Sequence, residues 1–154
     1  MEKAIIAALV LTALCFGCIG SAGDGITREY NKSELAVFYD AVNRNDSEMC
    51  GKITDSEIRG WCLRDVGIAT LNTTLCDQAG NVPDKYSCYI GISDKKASLQ
   101  FCYNEVARAF PNYSDAVDGC IVRVGYAQGN ESVCGLLSNK SRMGTCVGTA
   151  RHYV

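Results

Sequence analysis

The chain has 154 residues, with 15 basic and 17 acidic side chains and a formal net charge of −2. Charges of both signs are interspersed, and no stripe of basic residues is present that would follow a phosphate backbone. We therefore expect no nucleic-acid partner. Ten cysteines are unusual for a chain of this length, and their role depends on the compartment in which the chain resides.

Residues 1–17 have the pattern of a secretory signal peptide. The charged residues Glu2 and Lys3 come first, and an apolar run from Ala4 to Phe16 follows. This run of 13 residues is shorter than the roughly 20 residues that a helix needs to cross a bilayer. We expect the segment to direct export of the chain.

The next residues, Gly17-Cys18-Ile19-Gly20, resemble the lipobox of prokaryotic lipoproteins, most closely the form common in archaeal surface proteins. The resemblance implies cleavage before Cys18, a lipid on Cys18 and anchorage to the outer face of the cell membrane. Residues 18–32 would then hold the lipidated cysteine and a flexible tether. An ordinary cleaved signal with an incidental cysteine, and an uncleaved anchor, are the alternatives.

A cysteine-rich domain is predicted over residues 33–154, and segment 33–44 is predicted to be its capping helix. Ser33 is the expected N-cap, because its hydroxyl can accept a free N–H of the first helical turn. Leu35, Phe38 and Val42 recur at helical spacing and predict the buried edge of this helix.

Eight cysteines after this segment recur on a fixed period. The gaps between them are 11, 13, 11, 13, 17, 13 and 11 residues, which is a 26-residue repeat in four copies with a six-residue insertion in the third. A fixed period of this length indicates stacked supersecondary units. The cysteines are Cys50, Cys62, Cys76, Cys88, Cys102, Cys120, Cys134 and Cys146.

Other positions share the period and predict the structure of each copy. Four residues before the first cysteine of each copy comes a good N-cap residue: Asp46, Asn72, Ser98 or Asn130. After the second cysteine, apolar residues occupy the next position and the fourth, which is the spacing of an amphipathic helix. Each copy therefore reads as a short helix, a turn and a longer helix. Gly91 and Ser93 lower the helix propensity of the second copy.

This arrangement resembles tandem helical hairpins of the tetratricopeptide or Sel1 type, shortened and cysteine-bearing. The likeness concerns architecture only, since the tetratricopeptide consensus residues are absent. A short hairpin cannot bury much apolar surface alone, so neighbouring copies must stack. The predicted fold class is all-α, with four hairpins stacked into a small disulfide-rich bundle or solenoid.

The repeat allows two simple disulfide schemes for an exported chain. In the first, each hairpin is stapled within itself, and in the second, adjacent copies are joined. The second scheme leaves Cys50 and Cys146 unpaired at opposite ends of the stack, which favours the first, although the constant 13-residue gap argues for the second. The first scheme pairs Cys50–Cys62, Cys76–Cys88, Cys102–Cys120 and Cys134–Cys146.

Six Asn-x-Ser/Thr triplets are candidate glycosylation acceptors in an exported chain. The same residues are also what helix caps and turns require, which is the competing interpretation. The asparagines are Asn31, Asn45, Asn72, Asn112, Asn130 and Asn139.

No constellation of residues predicts catalysis, a metal or a cofactor. The single histidine, His152, is third from the end of the chain, where termini usually fray. The shortest gap between the eight repeat cysteines is 11 residues, whereas zinc sites prefer Cys-x2–4-Cys. Acidic pairs such as Asp55/Glu57 and Asp115/Asp118 fall at predicted turns or helix starts, where carboxylates favour the helix dipole.

The insertion in the third copy is the candidate binding loop. It places Arg108, Phe110 and Tyr113 around Pro111, and aromatic residues with arginine suit interfaces on rigid scaffolds. The alternative is a helix extension in which Phe110 packs into the stack. The sequence thus predicts a non-enzymatic surface lipoprotein that binds a protein or an envelope glycan. A structural or assembly component of the envelope is the second hypothesis, and an enzyme of unknown class is the third.

Overall fold

The computed structural model describes residues 29–151, and this range is helical without a strand. Residues 31–151 form one compact unit. The all-α prediction is therefore confirmed. The predicted signal peptide, Cys18 and His152 lie outside the described residues.

Longer helices alternate with short ones, and each longer helix packs against the next along the chain. The six-residue insertion falls in the sixth helix, which begins as Leu99–Phe101, continues as a π-helical segment Cys102–Val106 and ends as Ala107–Ala109. In chain order the elements are α1 Lys32–Arg44, α2 Ser47–Cys50, α3 Ser56–Thr70, α4 Thr73–Asp77, α5 Val82–Lys96, α6 Leu99–Ala109, α7 Ser114–Gln128, the 3-10 segments Glu131–Leu136 and Lys140–Arg142, and α8 Met143–Arg151.

The predicted N-caps of the short helices are all found at the predicted positions. Asp46, Asn72 and Asn130 each accept a hydrogen bond from a first-turn N–H, whereas the Ser98 side chain makes no capping bond. The prediction for α1 was wrong by two residues, because Asn31 is its N-cap. The Asn31 Oδ1 accepts hydrogen bonds from the Ser33 N–H (3.0 Å) and hydroxyl (2.8 Å), so Ser33 lies inside the first turn.

Each longer helix from α1 to α7 ends in a left-handed residue placed directly before the next N-cap. The φ angles there are 54°, 58°, 45° and 60° at Asn45, Leu71, Ala97 and Gly129. A left-handed residue reverses the chain tightly and lets its N–H satisfy a carbonyl of the last helical turn. Only one of the four positions has glycine, the residue that adopts this conformation without a steric cost.

Four disulfides connect each short helix to the longer helix that follows it. The pairs are those of the within-hairpin scheme, and all eight cysteines are buried. The Cα–Cα distances are 5.5 Å for Cys50–Cys62, 5.4 Å for Cys76–Cys88, 5.6 Å for Cys102–Cys120 and 5.7 Å for Cys134–Cys146.

The repeated apolar positions form the core between the helices. The fourth residue after each second cysteine is fully buried, at Val66, Ile92, Val124 and Ala150. In α1 the predicted edge is only partly correct. Leu35, Phe38 and Val42 are half-buried, and the buried residue of that helix is Ala41.

Candidate functional site

One position in each longer helix faces the turn of the next copy, and its chemistry changes along the stack. Glu34, Gly60, Tyr86 and Asp118 follow the repeat, with the last interval lengthened by the insertion. The Glu34 carboxylate accepts hydrogen bonds from the Thr54 N–H (2.8 Å) and hydroxyl. These hydrogen bonds, the Thr54 hydroxyl first, lower the pKa of Glu34.

Asp118 makes the corresponding link in the last copy. Its buried carboxylate accepts hydrogen bonds from the N–H groups of Ser138 (2.9 Å) and Asn139 (2.7 Å). At Gly60 the backbone of the next turn comes so near that a Cβ would lie 2.6 Å from the Ala79 carbonyl oxygen. Copies one, two and four therefore close this junction either with a carboxylate or by direct backbone contact.

The third copy leaves a cavity at the same junction. Tyr86 takes the place of the carboxylate, and a cavity of about 280 Å³ lies beside it. Burial raises the pKa of Tyr86, so the phenol stays protonated and can donate a hydrogen bond at neutral pH. The cavity is lined by Val82, Tyr86, Phe110, Tyr113, Asp115, Ala116 and Arg142.

Phe110 lines this cavity, and its ring packs into the stack, as the alternative interpretation of the insertion expects. It is only 5% exposed and packs edge-to-face on Tyr86 and Tyr89, with ring centroids 5.8 and 5.6 Å away. The Lys85 ammonium lies 5.4 Å from the ring centre of Phe110. The insertion lengthens α6 and directs Phe110 inward, so the stack gains apolar burial there.

Tyr113 and Arg108, the other two residues predicted for the binding loop, differ in position: Tyr113 lines the cavity, and Arg108 does not. Tyr113 is 57% exposed and forms part of the cavity wall, so it stays accessible to a ligand. Arg108 is exposed but points to its own helix, where its guanidinium pairs with Glu105 at 2.9 Å. It is not part of the cavity lining.

A charged pair borders the cavity. Arg142 donates to the Asp115 carboxylate at 3.2 Å and to the Asp115 carbonyl oxygen at 3.3 Å. Both side chains keep substantial exposure, 39% for Arg142 and 65% for Asp115. Their remaining donor and acceptor capacity is open to a bound molecule.

A second cavity of about 440 Å³ adjoins the first and shares Tyr86 and Arg142 with it. It is also lined by Gly119, where an added Cβ would overlap the Tyr86 hydroxyl. Arg123, another lining residue, donates from Nε to the Asp94 carboxylate at 2.7 Å. We call the two cavities together the third-repeat groove.

The third copy departs from the repeat in three further ways. Its short helix contains a π-helical segment, Ser98 makes no capping bond, and Tyr113 stands at the N-cap of α7 without a capping side chain. In the other copies the N-cap after the turn is Asp55, Asn81 or Asn139. Each of these side chains accepts a hydrogen bond from an N–H of the first helical turn. Of the residues involved, Tyr113 lines the groove.

Sequence reasoning missed Tyr86, Val82 and Arg142 as groove residues. A signal for Tyr86 was present, since it falls on the periodic position of Glu34, Gly60 and Asp118. Val82 and Arg142 carry no such signal, because they reach the groove only through the stacking of α5 and the last copy on α7. The carboxylates weighed as acid/base candidates have other partners: Asp55 caps α3, and Asp118 holds the last turn.

All six sequon asparagines are exposed. Four of them, Asn31, Asn72, Asn130 and Asn139, are N-caps that use Oδ1 to accept an N–H two residues ahead. Asn45 is the left-handed residue after α1, and Asn112 lies in the turn beside Tyr113. Capping thus explains most of these triplets structurally, and glycosylation stays a prediction.

Within residues 29–151 no group of three or more His, Cys, Asp or Glu side chains is placed to hold a metal ion. No helix in the same range is long and apolar enough to cross a membrane. The chain matches no protein-family model, no curated protein and no solved structure.

Proposed function

We propose that this protein is an exported surface lipoprotein that binds a protein or an envelope glycan in the third-repeat groove. The observation that supports this most is the change at one periodic position. The other junctions are closed, whereas the junction between the second and third copies has Tyr86, exposed Tyr113 and a cavity of about 280 Å³. Concave, largely apolar sites with a few polar groups are typical of ligand binding.

Export is supported by the cysteine chemistry. Four disulfides pair all eight repeat cysteines, and such bonds persist in oxidising compartments outside the cytosol. The signal-like residues 1–17 and the lipobox-like sequence around Cys18 are consistent with that compartment. Anchorage through Cys18 would hold the repeats on the outer face of the membrane.

Binding is favoured over catalysis by the charges around the groove. Arg142 is paired with Asp115, and Arg123 is paired with Asp94. The Tyr86 phenol keeps its proton at neutral pH, because its ordinary pKa is about 10 and burial raises it further, whereas a general base requires a group poised near the working pH. A structural or assembly role in the envelope is the second candidate, since four disulfides would make the stack of helices rigid.

The test is capture of the native partner from envelope membranes of the source cell by the intact, oxidised protein. Tyr113→Ala should abolish capture, because Tyr113 is the exposed aromatic of the groove. Tyr103→Ala is the matched control, since Tyr103 is 48% exposed and lines neither cavity. Equal capture by both variants and the wild type would exclude the groove as the site and favour the structural role.

A further inference from the structure

We propose, building on the function above, that the ligand of the third-repeat groove is a neutral oligosaccharide. The proposal rests on three properties of the groove: aromatic walls, a polar edge whose arginines are each paired with a carboxylate, and two adjoining cavities. Each property is matched by a feature of a sugar chain.

The walls of the first cavity contain aromatic rings, and two of them carry hydroxyl groups. Tyr86 and Tyr113 line the first cavity, with buried Phe110 between them and the core. Aromatic faces carry partial negative charge and attract the C–H groups on the face of a pyranose ring. The tyrosine hydroxyls can donate and accept, which suits the hydroxyl edge of the same ring.

Each arginine that lines the groove is paired with a carboxylate, although Asp94 is not itself part of the lining. Arg142 is paired with Asp115 at the first cavity, and Arg123 with Asp94 at the second. An anionic ligand would meet the Asp115 carboxylate at the first cavity, and a cationic ligand would meet a guanidinium at either cavity. A neutral molecule that both donates and accepts hydrogen bonds can use both members of each pair, because both remain partly exposed.

The size and arrangement of the cavities favour a chain of rings over a single compact ligand. Their volumes, about 280 and 440 Å³, lie near the lower end of the roughly 300–1,000 Å³ of small-molecule pockets. They share Tyr86 and Arg142, so successive rings of one oligosaccharide would occupy neighbouring subsites. A bound helix would instead need apolar anchors at regular i, i+3, i+4 and i+7 spacing along a continuous apolar groove, whereas Arg142 lies between these cavities.

The test is saturation-transfer NMR on the full-length, oxidised protein. The probes are the neutral trisaccharides of glucose, galactose, mannose and N-acetylglucosamine, with trigalacturonate as the anionic probe. We expect at least one neutral trisaccharide to bind and trigalacturonate not to bind. Tyr113→Ala should weaken that binding by about tenfold or more, and Tyr103→Ala by less than about twofold.

The proposal is wrong if none of the four neutral probes binds, if trigalacturonate binds as well as they do, or if the two variants weaken binding equally. The capture experiment separates this failure from failure of the function itself. If a partner protein is captured through Tyr113 while no trisaccharide binds, the glycan assignment falls and the binding function stands. If neither a protein nor a sugar binds, both proposals fall.

Discussion

The carboxylate of Asp118 holds the backbone of Ser138 across the junction between the third and fourth copies, with an Oδ1–N distance of 2.9 Å. Its second oxygen accepts the N–H of Asn139 at 2.7 Å. The same link is made by Glu34 to Thr54 at the other end of the stack. Two of the four junctions are therefore fixed by a carboxylate that reaches from one hairpin to the next turn.

Asp118→Ala should lower the free energy of unfolding by about 2–4 kcal/mol, because it removes the charged acceptor of two backbone hydrogen bonds that link the copies. Asp115→Ala, three residues earlier, is the control. It removes an exposed pair with Arg142 and should cost less than about 1 kcal/mol. Urea denaturation of the oxidised proteins measures both values, and similar losses in the two variants would contradict the role of Asp118.

Replacing alanine by glycine should stabilise the protein at a left-handed helix end and destabilise it inside a helix. Ala97→Gly should stabilise the protein by about 0.5–1 kcal/mol, because alanine is strained at a φ of 45° and glycine is not. Ala36→Gly, at an exposed position within α1, should destabilise it by about 1 kcal/mol through lower helix propensity. Thermal melts followed by circular dichroism compare the two, and losses of stability in both would argue against the left-handed ending.

Phe110 and Tyr113 should differ sharply in their effect on stability. Phe110→Ala removes a buried ring that packs on Tyr86 and Tyr89 and should cost about 3–5 kcal/mol. Tyr113→Ala should change stability by no more than about 0.5 kcal/mol, because the ring is 57% exposed. Chemical denaturation of the single variants measures both, and a large loss for Tyr113→Ala would remove it from the exposed wall of the groove.

Membrane attachment is predicted to depend on Cys18. Cys18→Ser should yield uncleaved precursor or soluble secreted protein, because serine cannot carry a thioether-linked lipid. Fractionation of the source cells, with detergent extraction of the membranes, follows the change. If the variant is anchored as firmly as the wild type, the lipoprotein hypothesis is wrong.

The periodic features of this fold could be predicted from the sequence because they are local. The N-caps at Asp46, Asn72 and Asn130 need only a side chain and the N–H groups of the following turn. The sequence favours the within-hairpin disulfides because they leave no cysteine unpaired. Low propensity at Gly91 did not shorten α5, which spans 15 residues. Tertiary packing outweighs the low helix propensity at this position. The Ile68 side chain packs so close to Gly91 that an added Cβ would lie 2.6 Å from it.

The groove could not be predicted from the sequence, because it depends on how the residues that follow the lengthened α6 pack against α5 and the last copy. Phe110 precedes a proline in a turn-rich segment, and the sequence leaves open whether it is exposed or packed; in the structure it is buried against Tyr86 and Tyr89. Arg142 is 27 residues from its partner Asp115 and meets it only after the last copy packs on α7. Contacts of this kind are set by the stacking of copies.

Site-specific photo-crosslinking in the source cell tests the central claim, binding in the third-repeat groove, most directly. A benzophenone side chain replaces Val82, which is 53% exposed and lines the first cavity, or Tyr39, which is 60% exposed on α1 and lines neither. Benzophenone inserts into C–H bonds and so captures proteins and glycans alike. We predict a discrete crosslinked product from position 82 and none from position 39. Equal crosslinking from both positions, or none from position 82, would contradict a binding site in the groove.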